Sequence, residues 1–119
     1  MPFFHFNQNN SGGSFDFVES KGITHHVVIE AKDADDANII TIMKGLYFDG
    51  CDSGQDCSCC GDRWYRAYGK GDEFPSIYGE RLGIKSFTAY GWMDEGRETA
   101  VHYADGRIEW FNRDNTAAK

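Results

Sequence analysis

The four cysteines of this 119-residue chain fall within ten positions, as Cys51, Cys57, Cys59 and Cys60. A structural zinc ion takes four tetrahedral thiolate or imidazole ligands, and Cys57 and Cys60 have the C-x2-C spacing of a zinc knuckle. Because the C-x-C and adjacent Cys-Cys spacings are tighter than a single structural zinc site prefers, we predict a site of two or three thiols completed by a histidine. The candidate histidines are His5, His25, His26 and His102. Two alternatives stay open: reduced thiols that only pack in the loop, and redox chemistry or disulfides.

The segment that follows the cysteines is the most basic and aromatic stretch of the chain. Its cations and rings, with the acid that precedes them, are Asp62, Arg63, Trp64, Tyr65, Arg66, Tyr68 and Lys70. Such a combination is typical of a surface that holds a phosphate, stacks a base or anchors a protein. The alternative places Trp64 in the core and pairs Arg63 with Asp62 or a neighbouring carboxylate.

An asparagine- and glycine-rich segment, residues 7–13, is a second candidate binding element. The amides of Asn7, Asn9 and Asn10 suit an anionic ligand, as in a backbone nest, although the same composition is typical of a hairpin turn. The chain has neither a P-loop motif nor a strand-anchored G-x-G-x-x-G motif, which argues against a nucleoside-triphosphate site of those types.

The charge distribution narrows the classes of partner. The formal net charge is −7, and residues 1–60 carry nine carboxylates against three lysines. This balance argues against binding to duplex DNA and leaves open a basic partner or a small molecule. No apolar run approaches the ~20 residues of a membrane span, and no signal peptide is visible, so we expect a cytoplasmic protein.

Local patterns predict the elements that position these residues. Residues 2–18 favour a hairpin, and Ile23–Ala31 a strand with His25 and His26 on opposite faces, one in the core and one exposed. A helix is predicted over Ala34–Lys44, capped by Asp33 and Gly45, with an apolar stripe facing the core. That stripe consists of Ala37, Ile40 and Met43, flanked by Ile39, Ile42 and Leu46.

The second half of the chain favours strands. Trp64–Tyr68 is predicted as a short strand and Ile84–Met93 as a long one. A hairpin over Thr99–Asn112, with a two-residue turn at Asp105-Gly106, pairs Tyr103 with Ile108 and Val101 with Trp110. We therefore predict one α+β domain, residues 1–112, with a flexible tail at 113–119. Its single helix packs on a mainly antiparallel sheet of about five or six strands.

Three segments carry a resemblance: FFHFNQNNSGGSF at 3–15, YFDG at 47–50 and DCSCCGDRW at 56–64. Together they resemble a group of small proteins encoded by phages and prophages, for which no activity is established. The resemblance implies expression in a bacterial cytoplasm during infection, where small accessory proteins often block a host factor or sequester a nucleotide. We expect a non-enzymatic protein that binds and inhibits a host factor, with a possible anti-defence role. The alternatives are a sponge for an anionic small molecule and a small metal- or thiol-dependent enzyme.

Overall fold

A computed structural model of the chain describes residues 1–9, 16–56, 58, 60–78, 80–83 and 97–112. A 3-10 helix, Glu19–Lys21, stands between the first two strands. In chain order the other elements are β1 (Phe3–Asn7), β2 (His26–Glu30), α1 (Ala34–Lys44), α2 (Gly50–Ser53), β3 (Ser76–Ile77), β4 (Glu80–Arg81), β5 (Thr99–His102) and β6 (Ile108–Phe111). No helix in these ranges is long and apolar enough to cross a bilayer.

The main sheet has four strands in the order β1-β2-β5-β6. β1 and β2 are antiparallel, β2 and β5 are parallel, and β5 and β6 are antiparallel. The α+β class is therefore confirmed. The count of five or six strands is not confirmed, because within the described ranges β3 and β4 form a separate two-residue ladder. The predicted strand at 84–93 and the predicted tail at 113–119 lie outside the described residues.

The predicted hairpin over residues 2–18 is wrong in its described part, because β1 pairs with β2 instead. Residues 10–15, which include the predicted turn, lie outside the described residues. Phe4 opposes Ile29 and Phe6 opposes Val27, which buries both phenylalanines against apolar neighbours. Asp16 meets the end of β1 through a side chain rather than a ladder. The backbone N–H of Asp16 donates to Oε1 of Gln8 at 2.5 Å, and Nε2 of Gln8 donates to the backbone carbonyl of Asp16 at 3.0 Å.

α1 has the bounds and the caps that its sequence predicts. The side chain of Asp33 accepts a hydrogen bond from the backbone N–H of Asp36 at 2.8 Å, and Gly45 ends the helix with a left-handed φ of 113°. Ala37 and Thr41 are the buried residues of α1, Leu46 after the helix is buried in the same cluster, and Ile40 packs against it. The predicted core position is therefore wrong for the other three residues of the stripe, Ile39, Ile42 and Met43, which are exposed.

The sheet separates two apolar clusters, because successive strand residues alternate between its faces. On the α1 side, β1 and β2 contribute Phe4, Phe6, Val27 and Ile29. On the opposite side, Phe3, Val28, Ile77, Leu82, Val101 and Phe111 pack together. Within β2, Val27 and Ile29 lie on the α1 side and Val28 on the opposite side, the alternation expected of a strand.

The predicted hairpin of β5 and β6 is present, but its register is shifted by one residue. His102 opposes Ile108 and Ala100 opposes Trp110. The turn spans three residues, because the N–H of Tyr103 donates to the carbonyl of Arg107 at 2.8 Å. Gly106 takes the left-handed position that a three-residue loop requires, with φ of 93°. The predicted strand at 64–68 is also wrong, since this segment has no regular secondary structure.

Candidate functional site

The cysteine loop begins in α2 and ends at Asp62, whose Oδ1 accepts a hydrogen bond from the backbone N–H of Cys51 at 2.9 Å. A hydrogen bond to Asp62, then partial desolvation and neighbouring carboxylates, raise the pKa of Cys51 to about 11, so this thiol is protonated at neutral pH. Cys57 and Cys59 lie outside the described residues. Among the residues that the structure describes, no group of three or more His, Cys, Asp or Glu side chains is arranged to hold a metal ion. A zinc site at the cysteines stays a prediction.

Arg63 is placed in a buried polar network rather than on the predicted binding surface. Its side chain donates from Nη1 to Oε1 of Gln8 at 3.0 Å and from Nε to the hydroxyl of Tyr47 at 3.2 Å. Nε also lies 3.5 Å from a carboxylate oxygen of Asp16 and 3.8 Å from one of Asp56. Only 7 % of Arg63 is exposed. Its side chain therefore links Gln8, which follows β1, to Asp56 in the cysteine loop rather than facing the solvent.

Asp56 is the anion at the centre of this network. Its two oxygens accept from the hydroxyl of Tyr47 at 2.7 Å and from the backbone N–H of Arg63 at 2.8 Å. Burial, followed by the hydrogen bond to Asp56, raises the pKa of Tyr47 above its ordinary value. The carboxylate also packs directly against Gly50, where a β-carbon would overlap it.

Other predicted binding residues hold the same region together. Nδ2 of Asn9 donates to the carbonyl of Asp62 at 2.8 Å, and the backbone N–H of Asn9 donates to the carbonyl of Arg63 at 2.9 Å. Trp64 is buried in the α1-side cluster, the position that one of the two sequence interpretations gives it. Asn7 is half-buried in β1, and Asn10 lies outside the described residues.

The rest of the predicted basic and aromatic stretch is exposed, namely Tyr65, Arg66, Tyr68 and Lys70. Arg66 pairs with Asp49 at 2.7 Å and lies 5.1 Å from the ring centroid of Phe48. This hydrogen bond lowers the pKa of Asp49. The stretch is fixed to α1 by Asn38, whose side-chain amide accepts from the N–H of Ala67 at 2.7 Å and donates to its carbonyl at 3.1 Å.

α1 presents an exposed apolar face beside this stretch. Ile39, Ile42 and Met43 are 58 %, 55 % and 80 % exposed, and we call them the α1 surface. Their spacing of three and four residues places them on one side of the helix. Asp35, one turn before Ile39, is exposed as well. Sequence reasoning missed this surface, although apolar residues surround more of α1 than one sheet can cover.

A cleft of about 370 Å³ lies beside the α1 surface, lined among others by Ile40, Met43, Lys44, His102 and Tyr103. His102 lies at its base, with Nε2 2.7 Å from the carbonyl of Gly22. Burial lowers the pKa of His102 to about 4, so the ring is neutral at pH 7 and Nε2 donates this hydrogen bond. Lys44 therefore supplies the positive charge of the cleft wall.

A histidine cluster occupies the other face of the sheet. His25 and His26 are both buried, and their ring centroids are 4.4 Å apart, so the predicted opposite orientation and the predicted exposure of one are wrong. The strand begins at His26, and alternation does not extend to His25. Nε2 of His5 lies 2.8 Å from Nδ1 of His26. Burial, followed by the charge of His25, lowers the pKa of His5 to about 4.

Comparison with known proteins gives a family without an assigned activity. No curated protein and no solved structure matches the chain. One family model matches residues 1–118, almost the whole sequence. The chain belongs to that family, which is described as a domain of unknown function, DUF7296.

Proposed function

We propose that this protein is a small phage-encoded accessory protein that acts in the host cytoplasm, where it binds a host protein through the α1 surface and inhibits it. The observation that carries the proposal is the exposure of three large apolar side chains on one face of a well-capped helix. Large contiguous apolar patches on a protein surface mark interaction sites, whereas single exposed apolar residues are common.

The neighbourhood of the α1 surface supports a protein as the ligand. The exposed rings of Tyr65 and Tyr68 belong to the segment that Asn38 fixes to the same helix. Tyrosine and methionine are among the residue types that are enriched in protein interfaces. The cleft next to Met43 offers space for an apolar side chain of the partner.

Charge indicates what the partner presents. Asp35 extends the α1 surface with a carboxylate, and the chain as a whole carries −7. An apolar groove with a basic rim complements such a helix, in the manner of helix-in-groove recognition. We therefore propose that the α1 surface binds a host protein with an apolar groove and a basic rim. The alternative is that it binds a second copy of this chain, and the experiment below distinguishes the two.

The nucleotide-sponge alternative has less support. A nucleotide sponge would use Arg63, Arg66 and Lys70 for phosphates and Trp64 or Tyr65 for stacking. Arg63 and Trp64 are buried, and Arg66 is paired with Asp49. Phosphate binding in this stretch would therefore require the ion pairs of Arg63 and Arg66 to rearrange, or would rely on Lys70.

The test compares variants of the full chain as bait in host lysate. Ile39→Asp and Met43→Asp place a charge on the α1 surface, and Phe74→Asp is the matched control, an exposed large apolar residue in the segment that leads to β3. We expect one host protein to be retained by wild type and the control and lost with both α1 variants. The identified protein, produced separately, should bind wild type at least tenfold more tightly than either α1 variant in calorimetry.

Two results would overturn this proposal. One is a partner whose affinity is the same for wild type and for the α1 variants. The other is a wild-type chain that elutes as a dimer in size-exclusion chromatography with light scattering and becomes monomeric with Met43→Asp, which would give the surface to a second copy.

A further inference from the structure

The face of the sheet opposite α1 carries a row of polar side chains at one end. Asn7, His26 and Thr99 are direct neighbours across β1, β2 and β5. His5 lies two residues before Asn7 and therefore on the same face. Phe4 and Phe6, the alternate residues of β1, point into the α1-side cluster. The row is thus separated from the α1 surface by the sheet itself.

Two imidazoles of this row converge on one point. Nε2 of His5 and Nδ1 of His26 are 2.8 Å apart, a hydrogen-bond distance in which one ring donates its proton to the lone pair of the other. The ring of His25 is 4.4 Å from that of His26 and encloses the pair on one side. The nitrogens are held by neighbouring antiparallel strands, so their separation is set by the ladder and by the two side-chain rotamers.

Two buried oxygens beside the pair have no hydrogen-bond partner in the part of the chain that the structure describes. They are Oδ1 of Asn7 and Oγ1 of Thr99, and Thr99 is fully buried. Buried polar atoms are normally satisfied by protein, water or a bound group, so each unsatisfied one calls for a partner. Both flank His26 in the ladder. These oxygens indicate that the place beside the imidazoles is suited to a polar ligand.

Tyr78 forms the outer wall of this place. Its ring lies edge-on to His5 and to His26, at centroid distances of 5.1 and 5.6 Å, and 58 % of the residue is exposed. His5 also lines a cleft of about 330 Å³ along the edge of β1. A small ion or a water molecule can therefore approach the pair, whereas a large organic ligand would have to displace Tyr78.

From this arrangement we propose that His5 and His26 form a two-imidazole site for a divalent first-row transition metal ion such as Zn²⁺. Zinc–nitrogen bonds of about 2.0–2.1 Å with tetrahedral angles require the two nitrogens to be about 3.3 Å apart. The pair has to open by about 0.5 Å, which side-chain rotation supplies. The shared proton moves to the other nitrogen of its own ring, so the neutral pair binds the ion without net loss of a proton.

The remaining ligands of such an ion are oxygens. Water, with Oδ1 of Asn7 as a second candidate, would complete the coordination, because no set of three His, Cys, Asp or Glu side chains converges in the described part of the chain. Two protein nitrogens and open positions give weaker binding than a closed structural zinc site, and an exchangeable ion. This site differs from the predicted cysteine site and is independent of the proposed function.

The test uses tag-free full chain labelled with ¹⁵N at histidine and titrated with ZnCl₂. Long-range proton–nitrogen spectra report each ring nitrogen, and we expect one equivalent of zinc to shift Nε2 of His5 and Nδ1 of His26. A competition titration with a chromophoric chelator should show at least tenfold weaker zinc binding for His5→Gln, which lies on an edge strand and retains hydrogen-bonding capacity. His102→Gln, a substitution of the buried histidine on the α1 side, is the control and should bind as wild type does.

Cysteine variants separate the two sites. With Cys57→Ser and Cys60→Ser combined, the histidine shifts should persist at the same zinc concentration. The proposal is wrong if zinc leaves the two ring nitrogens unchanged in the wild-type spectra. It is equally wrong if His5→Gln binds zinc as tightly as wild type while the cysteine variant loses all binding.

Discussion

The cysteine loop and the residue that follows it bury an aspartate and an arginine, whereas α1 leaves two isoleucines and a methionine in solvent. Burying Asp56 and Arg63 carries a desolvation cost that only a fully hydrogen-bonded network offsets, and these residues are bonded to Tyr47, Gln8 and each other. Because the apolar side chains of the α1 surface stay in solvent, they do not contribute the free energy that their burial would add to folding. The loop region is therefore built for rigidity, and the helix face for contact with another molecule.

Removing the anion of the network should have the largest effect. Asp56→Ala leaves the hydroxyl of Tyr47 and the backbone N–H of Arg63 without their acceptor and leaves a buried guanidinium with one fewer carboxylate. We expect the free energy of unfolding to fall by about 3–5 kcal/mol, measured by urea denaturation. Asp49→Ala removes an acid from the same region, but its pair with Arg66 is exposed. The comparison fails if both variants lose the same stability.

The tight packing of the loop predicts a second, smaller loss. Gly50→Ala adds a β-carbon that overlaps the carboxylate of Asp56, which is itself held by two hydrogen bonds. We expect the free energy of unfolding to fall by about 1–3 kcal/mol, the usual cost of overpacking. Asp52→Ala, an exposed change in the same short helix, should stay within about 0.5 kcal/mol. Equal melting temperatures for Gly50→Ala and wild type would show that the loop is loosely packed.

The sequence predicts α1 and the β5–β6 hairpin because their signals are local. Asp33 and Gly45 mark the helix ends, and Gly106 lies in the turn. The pairing of β1 with β2, and the parallel pairing of β2 with β5, join residues far apart in sequence, and no local signal encodes them. The hairpin register depends on whether the turn has two or three residues, which one glycine does not decide.

The candidate site is likewise predictable from the sequence only where its signals are local. Tyr65, Arg66 and Lys70 are exposed as a basic and aromatic stretch suggests, but the burial of Arg63 depends on Gln8 and Tyr47, which come from distant segments. The α1 surface could not be recognised from periodicity, because an apolar stripe looks the same whether it faces the core or a partner.

A change of pH should test whether the ring of His102 is shielded from water behind α1. Burial lowers the pKa of His102 to about 4 from an ordinary 6.5, so the unfolded chain binds a proton here at a higher pH than the folded chain does. The contribution of His102 to the free energy of unfolding is therefore fully present above pH 6.5. It is lost as the pH drops toward 4, by at most about 1.4 kcal/mol per pH unit. His102→Gln should make this dependence shallower, as urea denaturation at pH 7, 6 and 5 would show. An unchanged slope would mean that the ring of His102 is solvated through the cleft that it lines.

The smallest change in the free energy of unfolding is expected for polar substitutions on the α1 surface. This change shows whether these side chains serve folding or binding. Met43→Gln and Ile39→Gln replace exposed apolar side chains with polar ones of similar length, so the free energy of unfolding should change by no more than about 0.5 kcal/mol. Ala37→Gln, on the buried side of the same helix, is the contrasting control and should be strongly destabilising. If Met43→Gln were as costly as Ala37→Gln, the α1 surface would be part of the fold. A neutral change in stability, combined with loss of the partner, would mean that these side chains remain apolar for binding rather than for folding.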